Sequence, residues 1–182
     1  MGLKLANHGF AVWMTGLPCS GKSTIARKLQ ERISNLAMLD GDELREWLSA
    51  KDFTKESRDE HNVKVAHLSK LLIKHHLPVA VSLISPYIEN REAARKIIGD
   101  DRFIEVYVRC SLDACEKRDV KGMYAKARSG EISNFTGIQD PYEPPLNPEI
   151  TVNTEEDDLD TVCDKIVAKL VEMKHLSKNE KI

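Results

Sequence analysis

Few features of this 182-residue chain mark it as secreted, membrane-bound or built around a metal. Its four cysteines, Cys19, Cys110, Cys115 and Cys163, form no C-x-x-C pair and no zinc-finger spacing, so reduced thiols are expected rather than a disulfide framework. His75–His76 has no carboxylate or cysteine at zinc-ligand spacing and reads as a surface pair. Neither sign of charge dominates: 27 basic and 29 acidic residues leave a formal net charge of -2. With no basic stripe or acidic tail, a nucleic-acid polymer or a membrane surface is a poor partner. No apolar run nears the roughly 20 residues that span a bilayer. Residues 1–9 carry Lys4 and His8 without an apolar centre, so no signal peptide is expected. These absences predict one soluble, cytoplasmic domain, long enough to bury a core unaided.

What is present begins with Gly16-Leu17-Pro18-Cys19-Ser20-Gly21-Lys22-Ser23, which follows the apolar run Phe10 to Met14. This is G-x-x-x-x-G-K-S at the point where a strand should give way to a helix. Such a loop curls backbone N–H groups around an anion and aims a helix N-terminus at the same phosphates. Gly16, Ser20, Gly21, Lys22, Ser23 and Thr24 are the expected phosphate contacts. Lys22 would reach the β- and γ-phosphates of ATP and the Ser23 hydroxyl would ligate Mg²⁺. Cys19 is unusual there and reads as a tolerated small residue rather than a nucleophile.

Apolar runs at 10–14, 36–39, 78–84, 103–108 and 150–153 alternate with helix-like stretches at 22–33, 42–49, 55–75, 89–98 and 159–173. That alternation predicts an α/β fold of the P-loop NTPase type, a parallel sheet sandwiched by helices. A glycine- and proline-containing segment at about 115–148 is too long for an ordinary connector and suits a mobile lid. Residues 174–182 read as a frayed tail. Ligands in such sheets bind beyond the carboxyl ends of the strands. The phosphate loop, Asp40-Gly41-Asp42 and Ser85-Pro86-Tyr87 all fall there.

Phosphoryl transfer needs positioning, charge neutralisation and a carboxylate to orient the attacking hydroxyl. Asp40 and Asp42 are the leading carboxylates, one for Mg²⁺ and one facing the acceptor, although Asp at this position also caps helices. Arg45 lies one helical turn after Asp42 and shares its side. Arg45, Arg58 and Lys64 would suit an anionic acceptor, or form a solvated helix face. Arg118, Lys121, Lys126 and Arg128 put cations on the lid, where closure over a polyphosphate would use them. Phe53 and Phe135 stand among polar loop residues and would either stack on a nucleobase or anchor their loops.

Taken in order, these motifs resemble the adenylylsulfate kinase (APS kinase) family over about residues 10–172. Cys115-Glu116-Lys117-Arg118-Asp119-Val120-Lys121-Gly122-Met123-Tyr124 and Phe135-Thr136-Gly137-Ile138-Gln139-Asp140-Pro141-Tyr142-Glu143 look like that family's lid almost word for word. The resemblance implies transfer of the ATP γ-phosphate to the 3′-hydroxyl of adenosine 5′-phosphosulfate. It implies Asp42 as base with Asp40 in support, Arg45 and Arg58 on the acceptor's anionic groups, Phe53 and Phe135 around its adenine, Lys126 nearby, and a homodimer. Ser85 joins the acceptor set through Ile84-Ser85-Pro86-Tyr87. Departures gather on the acceptor side. Glu43 replaces an Asn after Asp42, His61 replaces the Asn of Glu-Asn-(Ile/Leu)-Arg-Arg, Lys64 alone is left of its arginine pair, and Ile88 replaces the arginine after Ser-Pro-Tyr. A paralogue acting on another activated nucleotide, such as cytidine diphosphate phosphoramidate, is therefore the nearest alternative, and loss of a substrate-bonding group shifts selectivity strongly. A non-catalytic nucleotide sensor usually lacks the loop lysine, which Lys22 supplies here.

Overall fold

The computed structural model describes residues 3–5, 8–48 and 54–178. In chain order the strands are β1 (Leu3–Leu5), β2 (Ala11–Thr15), β3 (Ala37–Asp40), β4 (Val79–Ser82), β5 (Phe103–Arg109), β6 (Ile150–Asn153) and β7 (Leu176–Lys178). The helices are α1 (Lys22–Arg32), α2 (Gly41–Leu48), α3 (Lys55–Lys74), α4 (Ile88–Ile98), α5 (Leu112–Arg118), α6 (Met123–Arg128) and α7 (Leu159–Glu172). Five strands form one sheet in the order β3-β4-β2-β5-β6, every neighbouring pair parallel. The expected strands and helices are present with small changes at their ends.

Parallel strands covered on both faces must be apolar throughout, and β2 is buried along its whole length. Alternation along β2 divides the core. Val12 and Met14 join Ile25 and Leu29 of α1 and Val162, Ile166 and Leu170 of α7. Ala11 and Trp13 face Val65, Ala66 and Ile73 of α3 and Ala94 and Ile98 of α4. Side-chain caps start three helices: Thr54 accepts from the Ser57 N–H, Ser111 from Ala114 and Asp158 from Thr161.

The sequence does not announce a second, two-stranded sheet. β1 pairs antiparallel with β7, Leu5 opposite Leu176, so residues 176–178 form a strand where a frayed end is expected. His175 and Leu176 are buried, and His175 packs its ring against Phe10. A third, small apolar cluster lies within the lid region, where Cys115, Tyr124, Ala127 and Phe135 are buried with Cys110.

Candidate active site

The central strand β2 has β4 on one side and β5 on the other, so the sheet reverses its winding direction at its carboxyl end. The phosphate loop occupies that switch point. Gly16 is required there by close approach: a Cβ would lie 2.5 Å from the Val108 carbonyl oxygen and 2.9 Å from Ser20 Oγ. Gly21, at φ 102°, supplies a left-handed turn directly before α1. Lys22 folds back over the loop, its Nζ donating to the carbonyls of Gly16 (2.9 Å) and Leu17 (2.7 Å). Burial pushes its pKa down to about 8, despite nearby Asp42 and Asp40. Ser20 is buried in the loop, whereas Thr24 is exposed on the first turn of α1.

Asp40 ends β3 beside this loop. Its Oδ2 accepts from Ser23 Oγ at 2.6 Å and from Ser82 Oγ at 3.0 Å, and the two hydroxyls lie 3.0 Å apart. Burial alone would raise its pKa, but bonds from Ser23, Ser82 and the Asp42 and Glu43 backbone outweigh that and lower it. One carboxylate and two hydroxyls make an all-oxygen set suited to Mg²⁺, which favours oxygen ligands and completes its shell with waters and phosphates. Among the described residues no cluster of three or more His, Cys, Asp or Glu could hold a metal. Asp42, two residues on, is exposed and carries an ion pair with Lys121 of the lid. Its N–H donates to Asp40 Oδ1 at 3.1 Å, tightening the elbow between strand and helix.

The lid's second cation reaches the loop through a residue that the motifs do not mark. Arg118 donates to the Thr154 carbonyl (2.6 Å) and hydroxyl (3.1 Å), and Thr154 Oγ1 donates to the Ser20 carbonyl at 2.9 Å. Loop, β6 end and lid are thus joined in one chain of bonds. A profile of the adenylylsulphate kinase family matches residues 8–153. The adenylyl-sulfate kinase of Gloeothece citriformis is 48% identical over 177 residues, covering 94% of this chain and 99% of the relative. The Mycobacterium tuberculosis APS kinase solved with AMPPNP and APS superposes at TM-score 0.84 and 41% identity, covering 91% of this chain and 99% of that one. This chain belongs to the adenylylsulphate kinase family. A gluconokinase from Sinorhizobium meliloti, at 14% identity and TM-score 0.62, covering 92% of this chain and 94% of that one, shares the fold alone.

Within this member of the adenylylsulphate kinase family, the acceptor-side residues divide. Arg45 is half-buried on α2 and Lys126 is exposed on α6. Arg58 is buried, and its guanidinium binds the lid: Thr136 Oγ1, the Asn134 carbonyl and, at 3.2 Å, Asp140. Tyr87 OH donates to the same Asp140 carboxylate at 2.7 Å. Phe135 is a core residue of the lid, meeting Tyr124 edge-on at 4.9 Å, so the anchoring role open to it in the sequence is the one observed. The Ser85 hydroxyl is committed too, donating to Asn62 Oδ1 at 2.7 Å and accepting from Trp13 Nε1 at 3.2 Å. Phe53 lies outside the described residues.

Sequence reasoning missed Ser82, Thr154 and Glu105; Arg91 stands out in the sequence as an arginine kept three residues after Ile88, but its buried pairing with Glu105 does not. Of the three missed, only Ser82 left a signal, as the polar end of an otherwise apolar strand beside Asp40. Arg91 links three elements. It donates to Glu105 Oε1 (2.7 Å), to the Ser85 carbonyl (2.6 Å) and to the Glu143 carbonyl (2.8 Å). Ser85 itself sits at φ 42°, a left-handed conformation that these bonds hold in place.

Proposed function

We propose that this chain transfers the γ-phosphoryl group of Mg-ATP to the 3′-hydroxyl of adenosine 5′-phosphosulfate, giving the 3′-phospho derivative and ADP. One observation carries the reading: a phosphate loop, an all-oxygen triad of Asp40, Ser23 and Ser82, and Asp42 meet beside a lid whose Lys121 pairs with Asp42 and whose Arg118 reaches the loop through Thr154. The likeness to a relative solved with AMPPNP and APS supports both substrates.

Lys22 exchanges the Gly16 and Leu17 carbonyls for phosphate oxygens, and Arg118 stands beside the loop to neutralise the same charge. Ser23 and Asp40, with Ser82 behind them, are the residues that would hold Mg²⁺, which neutralises charge on the phosphate oxygens when bound. Lys121 passes from Asp42 to the phosphates as the acceptor enters. The acceptor 3′-oxygen then bonds to the γ-phosphorus, the bond from that phosphorus to the β–γ bridging oxygen breaks, and the hydroxyl proton passes to Asp42. Arg45 and Lys126 meet the acceptor's anionic groups, with His61, Arg58, Ser85 and Phe135 shaping that side of the crevice from behind. We read residues 1–182 as one kinase domain, and propose a homodimer in the cytoplasm. Four unpaired cysteines fit a reducing compartment. Among the described residues no helix is long and apolar enough to cross a membrane.

An ADP-release assay with APS, CDP derivatives, AMP, gluconate and no acceptor tests the reading. Saturable turnover is expected with APS, and turnover only with another acceptor refutes the assignment. Asp42→Ala should lower kcat by about 10²–10⁴-fold, the range for a general base, with ATP affinity kept. Near-normal turnover in that variant would remove Asp42 from the role of base.

A further inference from the structure

Between α5 and α6 the chain makes a short excursion, Val120-Lys121-Gly122, with Val120 and Lys121 exposed at its tip. Asp119 closes its base. The Asp119 N–H donates to the Cys115 carbonyl at 3.1 Å, ending α5, and its own carbonyl accepts from the Gly122 N–H at 2.9 Å. Its carboxylate reaches across to the next helix, where Oδ1 accepts from the Tyr124 N–H and Oδ2 from the Ala125 N–H, each at 3.0 Å. The first N–H groups of a helix have no partner within it, and Gly122 before α6 has no side chain to offer one. Asp119 supplies that cap from outside the helix. Desolvation alone would raise its pKa, but the Tyr124 and Ala125 N–H bonds outweigh that and lower it, so the carboxylate is ionised at neutral pH.

Both flanks of the excursion are fastened to the phosphate loop. On one side Arg118 bonds Thr154, whose hydroxyl donates to the Ser20 carbonyl. On the other Tyr124, wholly buried, donates its hydroxyl to the Pro18 carbonyl at 3.0 Å. Asp119 sits between these two anchors and bonds the second through its backbone. From the turn so held, Lys121 at the tip forms its ion pair with Asp42. Both oxygens of Asp119 are occupied by backbone N–H groups, so its effect on the site passes through the turn.

We infer that Asp119 is a positioning residue for phosphoryl transfer: by pinning the turn between α5 and α6, it sets Lys121 opposite Asp42, the place from which the lysine passes to the phosphates. This rests on the kinase reading above. The requirement is for a short side chain with an acceptor oxygen, which asparagine meets about as well as aspartate at a helix start and alanine does not.

The test measures kcat and KM for the full chain as wild type, Asp119→Ala and Asp119→Asn, and repeats Asp119→Ala in a Lys121→Ala background, each well below its own Tm. Asp119→Ala should lower kcat by about 10–100-fold, the effect of misplacing a group by about 1 Å, with KM for APS within about threefold of wild type. Asp119→Asn should keep kcat within about threefold of wild type, because the cap survives. In the Lys121→Ala background, Asp119→Ala should lower kcat by less than about a further threefold, since the side chain to be aimed is gone. Unchanged kcat in Asp119→Ala overturns the inference. So do losses from the Asp119 and Lys121 changes that multiply, which would detach Asp119 from the lysine. An Asp119→Asn variant as slow as Asp119→Ala also overturns it, by making the charge rather than the turn the requirement. If Asp119→Ala does not fold, Asp119→Gln, whose longer chain carries its oxygen past the α6 N–H groups, takes its place under the same criteria. Absence of turnover by the wild type with every acceptor is a separate result, removing the kinase reading and this inference with it.

Discussion

Replacing Glu105 should separate stability from activity. Glu105 on β5 and Arg91 on α4 are 8% and 2% exposed, and their 2.7 Å bond is closed off from water. Glu105→Leu leaves the Arg91 guanidinium buried without its carboxylate, a loss expected to cost about 3–5 kcal/mol. In a domain of this size that lowers Tm by roughly 6–20 °C, at about 2–4 °C per kcal/mol. Burial, outweighing the pull of Arg91 and Arg95, raises the Glu105 pKa above its ordinary value. The native state therefore binds this proton more tightly than the unfolded chain. The group's contribution to stability is complete at low pH and is lost as pH rises through the folded pKa, so at neutral pH its ionisation is a net burden. It follows that Arg91→Met with Glu105→Leu, which removes both charges, should regain most of the lost stability. Activity should not return with it. Arg91 also holds the Ser85 carbonyl at 2.6 Å and the Glu143 carbonyl at 2.8 Å, tying the strained residue after β4 to the lid's far end. Thermal unfolding followed by circular dichroism, with kcat measured on the same samples, reads both quantities. A single variant within about 2 °C of wild type, or a double variant that recovers kcat along with Tm, would refute the reasoning.

Lys22 predicts a pH-dependent stability, since burial holds its folded pKa at about 8, below the ordinary lysine value of 10.5. Between those values the unfolded chain holds a proton that the native state lacks, so stability without added nucleotide should rise with pH, by up to about 3 kcal/mol. Lys22→Met should abolish that rise in denaturant titrations at pH 7.5 to 10.5 while destroying ATP affinity; a persisting slope would assign it to another group. Ser82→Ala removes one of the two hydroxyls on Asp40 and should raise the Mg²⁺ concentration for half-maximal activity by about tenfold with little change in Tm. An unchanged Mg²⁺ requirement would exclude Ser82 from that shell.

The loop from Gly16 to Ser23, the two aspartates and the lid motif were legible because their chemistry depends on residue type at fixed spacing along one stretch of chain. The strands were legible because a buried parallel sheet demands unbroken apolar runs. Arg58, Phe135 and Ser85 were misplaced in emphasis for the opposite reason. A cation, an aromatic ring or a hydroxyl has the same signature whether it faces a ligand or a neighbouring side chain. Only the bonds from Arg58 to Thr136, Asn134 and Asp140, the edge-on contact of Phe135 with Tyr124, and the Trp13–Ser85–Asn62 chain reveal how they are spent. Thr154 carried no local signal, since its partner Ser20 lies 134 residues away, and the sequence marks Arg91 without telling that it is spent on Glu105, Ser85 and Glu143.

By itself, then, the sequence determined the fold class, the phosphate grip and the family, all of which reside in local pattern and ordered motifs. The tertiary structure decided which polar groups remain available to a substrate. It turned Arg58 and Phe135 into the lid's own packing and joined Thr154 to the phosphate loop. The physical reason is that a buried polar group must find a partner, and that partner is chosen by packing in three dimensions rather than by distance along the chain.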